Sequence, residues 1–173
     1  PFKEAAKAGV ATFMNACNDI DGTPATAHKT LQRDILKKEW DWDGFVVSDW
    51  ASGNEMIAHG FARDLAHVAE LSANAGSDMD MESYAYINHL KEVVESGKVE
   101  MSVIDDAVKR ILHVKYELGL FDDPYRYCDE ERQKNLISHP DHLAAALEIA
   151  KKSIVLLKNE NNLLPLNKEQ KKI

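Results

Sequence analysis

An α/β fold built from consecutive strand–helix units is what this sequence predicts, and three observations carry the prediction. Short apolar runs are centred near positions 12, 46 and 79, a step of 34 and then 33 residues. A parallel neighbour can be reached only through a crossover helix, and one such βαβ unit takes about 30 residues. The runs at 10–14 and 44–47 are apolar throughout rather than alternating, as strands covered on both faces are. Between the runs lie stretches whose apolar residues recur every three to four positions. Three units are too few for a closed (β/α)8 barrel of about 250 residues. The sequence opens at Pro1 with neither an initiator Met nor an apolar leader, and stops in Lys171, Lys172 and Ile173 just after a segment that reads as a new beginning. It is therefore expected to be a piece of a longer protein, the C-terminal part of a (β/α)8 TIM-like barrel with about three βα units, rather than a small open sheet.

Residues 10–14 (Val-Ala-Thr-Phe-Met) are the first strand, expected to be buried; a polar loop over 15–24 follows, then a helix on which Ala27, Leu31 and Ile35 share a face. Residues 44–47 (Gly-Phe-Val-Val) are the second strand and end abruptly at Ser48, Asp49 and Trp50. In the next helix Leu65, Val68, Ala69, Ser72 and Ala75 point inward, and Gly76 stops it. Residues 77–81 form a third, weaker strand. Beyond it one helix places Ile87, Leu90 and Val94 on a face and stops at Gly97. Another, capped by Ser102 with Asp105 three residues on, carries Ile104, Ala107, Val108, Ile111, Leu112 and Leu118 inward up to Gly119. The texture then changes: residues 120–132 hold Pro124 and mixed charge without a period, which marks a linker. His139 and Pro140 open a further helix with Leu143, Ala146, Leu147 and Ala150 inward, leading into the turn-rich 159–166 and the entrance to a second domain.

With 21 basic against 29 acidic side chains the formal charge is −8, which excludes a generic nucleic-acid binder. Hydrophobic residues make up 45% and charged ones 29%, a composition that builds a core and argues against disorder. No apolar run approaches the roughly 20 residues of a membrane span, so neither a span nor an anchor is expected. Cys17 and Cys128 stand too far apart for a metal-ligand spacing or a disulfide framework and read as two unpaired, partly buried thiols. His59 and His67 have no metal signature between them. Asp78, Asp80 and Glu82 alternate as in a calcium loop, but Ser83 stands where that loop needs Gly and His89 where it needs Glu. No metal and no cofactor are expected. Asp78 and Asp80 close the third strand and its loop, with Met79 and Met81 packing on the other face. Asn15, Asn18, Asp19 and Asp21 crowd the loop before Gly22 and Pro24, where turn chemistry accounts for most of them.

Asp49 is the sharpest local signal. An apolar run that belongs inside a sheet leads straight into a carboxylate, which places Asp49 at the C-terminal rim of its strand, the edge where α/β folds assemble their sites. A carboxylate there acts as nucleophile or general base, and the neighbouring Trp50 offers a flat apolar surface suited to the C–H face of a sugar ring. The competing reading is structural, with Asp49 capping the helix that follows.

Several blocks occur in order along the chain: Phe-Met-Asn-Ala-Cys-Asn-Asp-Ile-Asp-Gly-Thr-Pro-Ala-Thr over 13–26, Lys-Glu-Trp-Asp-Trp-Asp-Gly-Phe-Val-Val-Ser-Asp-Trp over 38–50, His59-Gly60, Ala-Gly-Ser-Asp-Met-Asp-Met over 75–81, Lys-Tyr-Glu-Leu-Gly-Leu-Phe over 115–121, and Ser-Ile-Val-Leu-Leu-Lys-Asn over 153–159. Together they resemble glycoside hydrolase family 3, and within it the bacterial periplasmic β-glucosidases. The resemblance implies that 1–119 is the last part of a glycosidase barrel, 120–141 an interdomain linker, and 142–173 the start of a second, α/β sandwich domain. It puts Asp49 on the position of the catalytic nucleophile and Trp50 in the sugar-binding wall. It implies a retaining exo-β-glucosidase acting on terminal non-reducing β-D-glucosyl residues, with a β-xylosidase or a broad-specificity β-glycosidase as the alternative. The substrate is then a β-glucoside or oligosaccharide, and the location periplasmic or secreted. Many members carry an aromatic where Cys17 stands, close to the nucleophile, so the resemblance leaves the shape of the pocket floor open. The family's other sugar-gripping residues and its acid/base Glu fall outside these 173 residues, so Glu55, Asp80 and Glu82 are not assigned that role and the isolated chain is expected to be inactive.

Overall fold

The computed structural model describes residues 1–169; Lys171, Lys172 and Ile173, and with them the end of the expected second domain, lie outside the described residues. The chain divides into two compact units, Pro1–Arg126 and the residues from Tyr127 onward.

The first unit opens with helix α1 (Phe2–Lys7) and strand β1 (Thr12–Met14), which pairs in parallel with β4 (Phe45–Val47) in the register Thr12↔Phe45, Phe13↔Val46 and Met14↔Val47. The parallel pairing follows from the apolar runs and their spacing, as expected. The first strand is shorter and wetter than its sequence suggests, since Val10 and Met14 are exposed and Phe13 alone of its apolar residues is half-buried. The third strand is reduced to one parallel bridge, Val47↔Met79. The cause is a side chain: the Asp78 carboxylate takes the Val46 N–H at 2.8 Å, so a carboxylate occupies the place a backbone carbonyl would hold in a continued ladder.

The polar loop after β1 contains a two-residue hairpin, β2 (Asp19–Ile20) against β3 (Thr23–Pro24). Asp21 and Gly22 both have positive φ, 51° and 77°, the backbone that a tight hairpin of primed type requires. A short 3-10 turn (Ala25–Ala27) leads into a ten-residue π-helix (Thr30–Glu39). The wider winding, seen in the Trp40 N–H donating to the Ile35 carbonyl at 2.9 Å, shifts the buried face. Gln32, Leu36 and Lys37 are buried, while Leu31 and Ile35, the residues the four-step period points inward, are only half-buried.

Helices α2 (Ser52–Ala58), α3 (Leu65–Ala75) and α4 (Ala85–Glu95) build the main core around Met56, Val68, Ala69, Ala73, Ala85 and Val93. Asp64 caps α3, accepting from the His67 N–H at 2.8 Å, and Gly76 ends it at φ 105°, a left-handed position a side chain would strain. A second cluster joins Leu36, Trp42 and Val46, with Phe13 and Trp40 packed against it. Gly44 sits where a Cβ would overlap the Ala11 carbonyl and the Trp42 ring, which is why the entrance to β4 is a glycine.

Two expected faces and one expected cap differ. Ile87 on α4 is exposed, and Ala85 and Val93 are the buried residues there. Helix α5 (Met101–Glu117) begins before Ser102, with Glu100 at its N-cap and no side-chain cap. On α5 Ile104, Ala107 and Ile111 are half-buried, whereas Val108 and Leu112 are exposed, as is Leu118 just after it.

In the second unit α6 (Glu130–Leu136) lies within the stretch expected as linker. It has no apolar period, and its start is fixed by Asp129, which accepts from the Arg132 N–H at 2.9 Å. Helix α7 (Pro140–Ser153) starts as expected, His139 Nδ1 accepting from the Asp141 N–H at 3.3 Å and Pro140 in the first turn. Leu143, Ala146, Leu147 and Ala150 are exposed rather than inward, because no described element of their own unit covers that face.

Candidate active site

The site is assembled where β4 ends. The buried Ser48 anchors the turn: its N–H donates to the Met79 carbonyl at 2.9 Å and its Oγ accepts from the Met81 N–H at 2.8 Å. The Ala51 N–H donates to the Met81 carbonyl at 2.9 Å. The 48–51 turn is thereby fastened along the neighbouring 79–81 segment, and the side chains between the fastenings are presented at the rim.

Asp49 is half-buried there. Its Oδ1 accepts from the Trp50 N–H at 2.7 Å, and its Oδ2 from the Cys17 thiol at 3.4 Å. The carboxylate does not cap α2: the N-cap is Ala51, in the left-handed region at φ 53°, and no side chain caps the helix. Trp50 is 64% exposed, so its ring is available to a ligand face. Cys17, on the loop after β1, reaches the same rim because β1 and β4 run parallel and in register. Burial, then Asp49, then Glu55 on α2 push the Cys17 thiol up to about 11, so it is protonated at neutral pH. His59, at the C-cap of α2, pairs with Asp19 at 3.1 Å.

The other acidic residues of the 78–82 segment have structural partners. Asp78 is buried against Lys37, whose Nζ lies 2.6 Å and 2.8 Å from its two oxygens and donates to the Gly76 carbonyl at 2.9 Å. Burial draws the Lys37 pKa below the ordinary lysine range, and Asp78 pulls it back. Asp80 accepts from Ser83 Oγ and from the Tyr86 N–H, the latter at 3.1 Å. Glu82 accepts from Tyr84 Oη at 3.0 Å. Met79 is exposed and Met81 half-buried, so neither packs as expected. Among the described residues no three His, Cys, Asp or Glu side chains converge to hold a metal ion, and no helix is long and apolar enough to cross a membrane.

An open apolar cleft of about 240 Å³ lies beside β1, lined by Phe13, Leu31, Ile35, Leu36, Trp40 and Val46 among others. Asp49 is not part of its lining. Lys37 escaped sequence reasoning; for Cys17 the family resemblance gave closeness to the nucleophile position but not the thiol contact itself. For Cys17 a signal existed: with parallel strands in register, residues just beyond Met14 and just beyond Val47 meet on one edge.

A carboxylate and an exposed tryptophan at the C-terminal end of a parallel strand define a candidate glycosidase-type site, and comparison with known proteins gives it a family. Residues 1–114 match the glycosyl hydrolase family 3 N terminal domain, and the chain belongs to that family. It is 39% identical over 171 residues to a periplasmic beta-glucosidase of Salmonella typhimurium, covering 97% of this chain and 22% of that protein. It is 40% identical over 176 residues to a beta-xylosidase of Formosa agariphila, covering 96% of this chain and 24% of the relative. Among solved structures a beta-glucosidase from Listeria innocua superposes with a TM-score of 0.78 at 40% identity, covering 97% of this chain and 23% of that one; the Listeria enzyme has also been crystallised with glucose and, as an aspartate-to-alanine mutant, with laminaribiose. The chain thus spans about a quarter or less of the length of these relatives. Glycoside hydrolase chemistry is the activity of its relatives.

Proposed function

We propose that this chain is part of a retaining exo-β-glucosidase that releases terminal non-reducing β-D-glucosyl residues, with Asp49 as the nucleophile and Trp50 as part of the wall against the sugar. The observation that carries the reading is the half-exposed Asp49 carboxylate at the end of β4, in a chain whose relatives include β-glucosidases. In the first step an Asp49 oxygen bonds to the anomeric carbon as the bond to the aglycone oxygen breaks; that oxygen takes a proton from an acid outside these residues. In the second step water, giving its proton to the same group, displaces Asp49 and the sugar leaves with its configuration retained. Both steps pass through an oxocarbenium-like state that the Asp49 charge stabilises.

The same reading assigns 1–119 to the last units of a (β/α)8 barrel, 120–141 to a linker and 142–173 to the start of an α/β sandwich domain. It places the parent protein in the periplasm or outside the cell, in keeping with the Salmonella relative. The Formosa relative supports a second reading, a β-xylosidase or broader β-glycosidase with the same nucleophile. A 2-deoxy-2-fluoro glycoside with a good leaving group traps the glycosyl-enzyme. Mass spectrometry of the full-length protein treated with the glucoside should find the label on the peptide that carries Asp49; a label outside residues 45–56 refutes the assignment. The 173-residue chain by itself is expected to give no hydrolysis of an aryl β-glucoside above buffer, and a clear rate would contradict the proposed division of the active site.

A further inference from the structure

We infer that Cys17 is a positioning residue for Asp49: its thiol hydrogen holds Oδ2 while the Trp50 N–H holds Oδ1, so that two donors from different directions fix the rotation of the carboxylate at the strand rim. The inference rests on Asp49 being the nucleophile. An Asp carboxylate turns through a broad, roughly two-fold torsion, and a nucleophilic oxygen must point at the anomeric carbon from about 3 to 3.5 Å. One donor leaves that torsion soft, and the second closes it.

The thiol is itself held in place from both sides along the chain. On one side the Asn15 N–H donates to the Val47 carbonyl at 3.0 Å, and the buried Asn15 side chain donates to Ser77 Oγ at 2.7 Å. On the other, the Asn18 carbonyl accepts from the Ala25 N–H at 3.2 Å, closing the base of the β2–β3 hairpin. Cys17 lies between these anchors, 3.4 Å from Asp49 Oδ2. Its protonation state completes the case. With the thiol pushed up to about 11 by burial, by Asp49 and by Glu55, Sγ carries its hydrogen at any pH near neutrality, so the group facing the carboxylate is a donor and not a second anion. The charged groups around this contact are Asp49 itself, Glu55 from α2 and, further along the same loop, the Asp19–His59 pair. Asp80 and Glu82, from the segment packed beside the turn, are engaged by Ser83, Tyr86 and Tyr84.

The test uses the full-length protein and two independent readouts. In Cys17→Ala the carboxylate loses one of its two donors, and kcat/KM should fall about threefold or more. KM should change little while kcat falls. Cys17→Ser, which keeps a donor of similar size, should restore kcat. The second readout needs no turnover. In a Cys128→Ser background, peptide mapping follows the alkylation of Cys17 by iodoacetamide; Asp49→Asn removes the charge that holds the thiol proton, and the rate near pH 8 should rise about threefold or more. The inference is overturned by an unchanged kcat in Cys17→Ala, by a serine variant that behaves like alanine, or by an alkylation rate unchanged in Asp49→Asn. Full turnover in Asp49→Ala would instead remove the nucleophile assignment beneath it, with the alkylation rate still reporting whether the contact exists.

Discussion

Asp49→Ala in the full-length protein is expected to lower turnover of an aryl β-glucoside on the order of 10⁴-fold or more, because under the proposed double-displacement reaction it removes the nucleophile and with it the covalent route itself. The fold should persist. The carboxylate is half-buried, its partners are the next residue's N–H and a thiol at 3.4 Å, and it caps no helix, so its removal touches none of the contacts that hold the 48–51 turn to the 79–81 segment. A loss of stability above about 1 kcal/mol is not expected for such a position. Far-UV circular dichroism and an unfolding curve separate the two effects: near-wild-type activity in a folded variant removes Asp49 from its role. Added azide, a small anion able to enter where the carboxylate stood, should restore part of the turnover of a substrate with a good leaving group and give a glycosyl azide of inverted configuration.

Asp49 was legible in the sequence because its signal is local: four residues of apolar strand, Gly44 through Val47, and then a charge. The stop at Gly76 and the start at His139 and Pro140 were legible for the same reason, each being written within a few residues, while the parallel pairing of β1 with β4 was legible from the 34-residue step between two wholly apolar runs. What the sequence hid depends on partners far along the chain. The third strand fails to form because Asp78 spends a side-chain oxygen on the Val46 N–H, and no periodicity reports a carboxylate standing in for a carbonyl. The π-helix hid the inward turn of Lys37, since a four-residue step leaves it on the polar side and only the wider winding turns it in. Exposed apolar residues on α5 and α7 show the complementary limit: periodicity says which residues share a face, and nothing about whether a described neighbour covers it.

Lys37→Met should destabilise the chain by about 3 to 5 kcal/mol, the range found when one member of a buried ion pair is removed. Both side chains are nearly inaccessible, at 5% and 3% exposure, so neither charge finds water when its partner is lost. Methionine keeps most of the aliphatic stem and removes only the ammonium, which leaves the Asp78 carboxylate buried with the Val46 N–H as its remaining donor and leaves the Gly76 carbonyl without Nζ. The double variant Lys37→Met with Asp78→Leu should recover much of that loss, because the cost lies in an unpaired buried charge and not in the absence of the pair; the cycle measures the coupling directly. Trp42, buried in the same cluster as Leu36 and Val46, makes urea unfolding followed by tryptophan fluorescence a reporter of this region. A single-variant loss under about 1 kcal/mol would show that the pair does not hold the sheet together. The same change should also reduce turnover in the full-length protein, since the pair ties the 76–78 segment to Val46 and so sets the strand on whose end Asp49 stands.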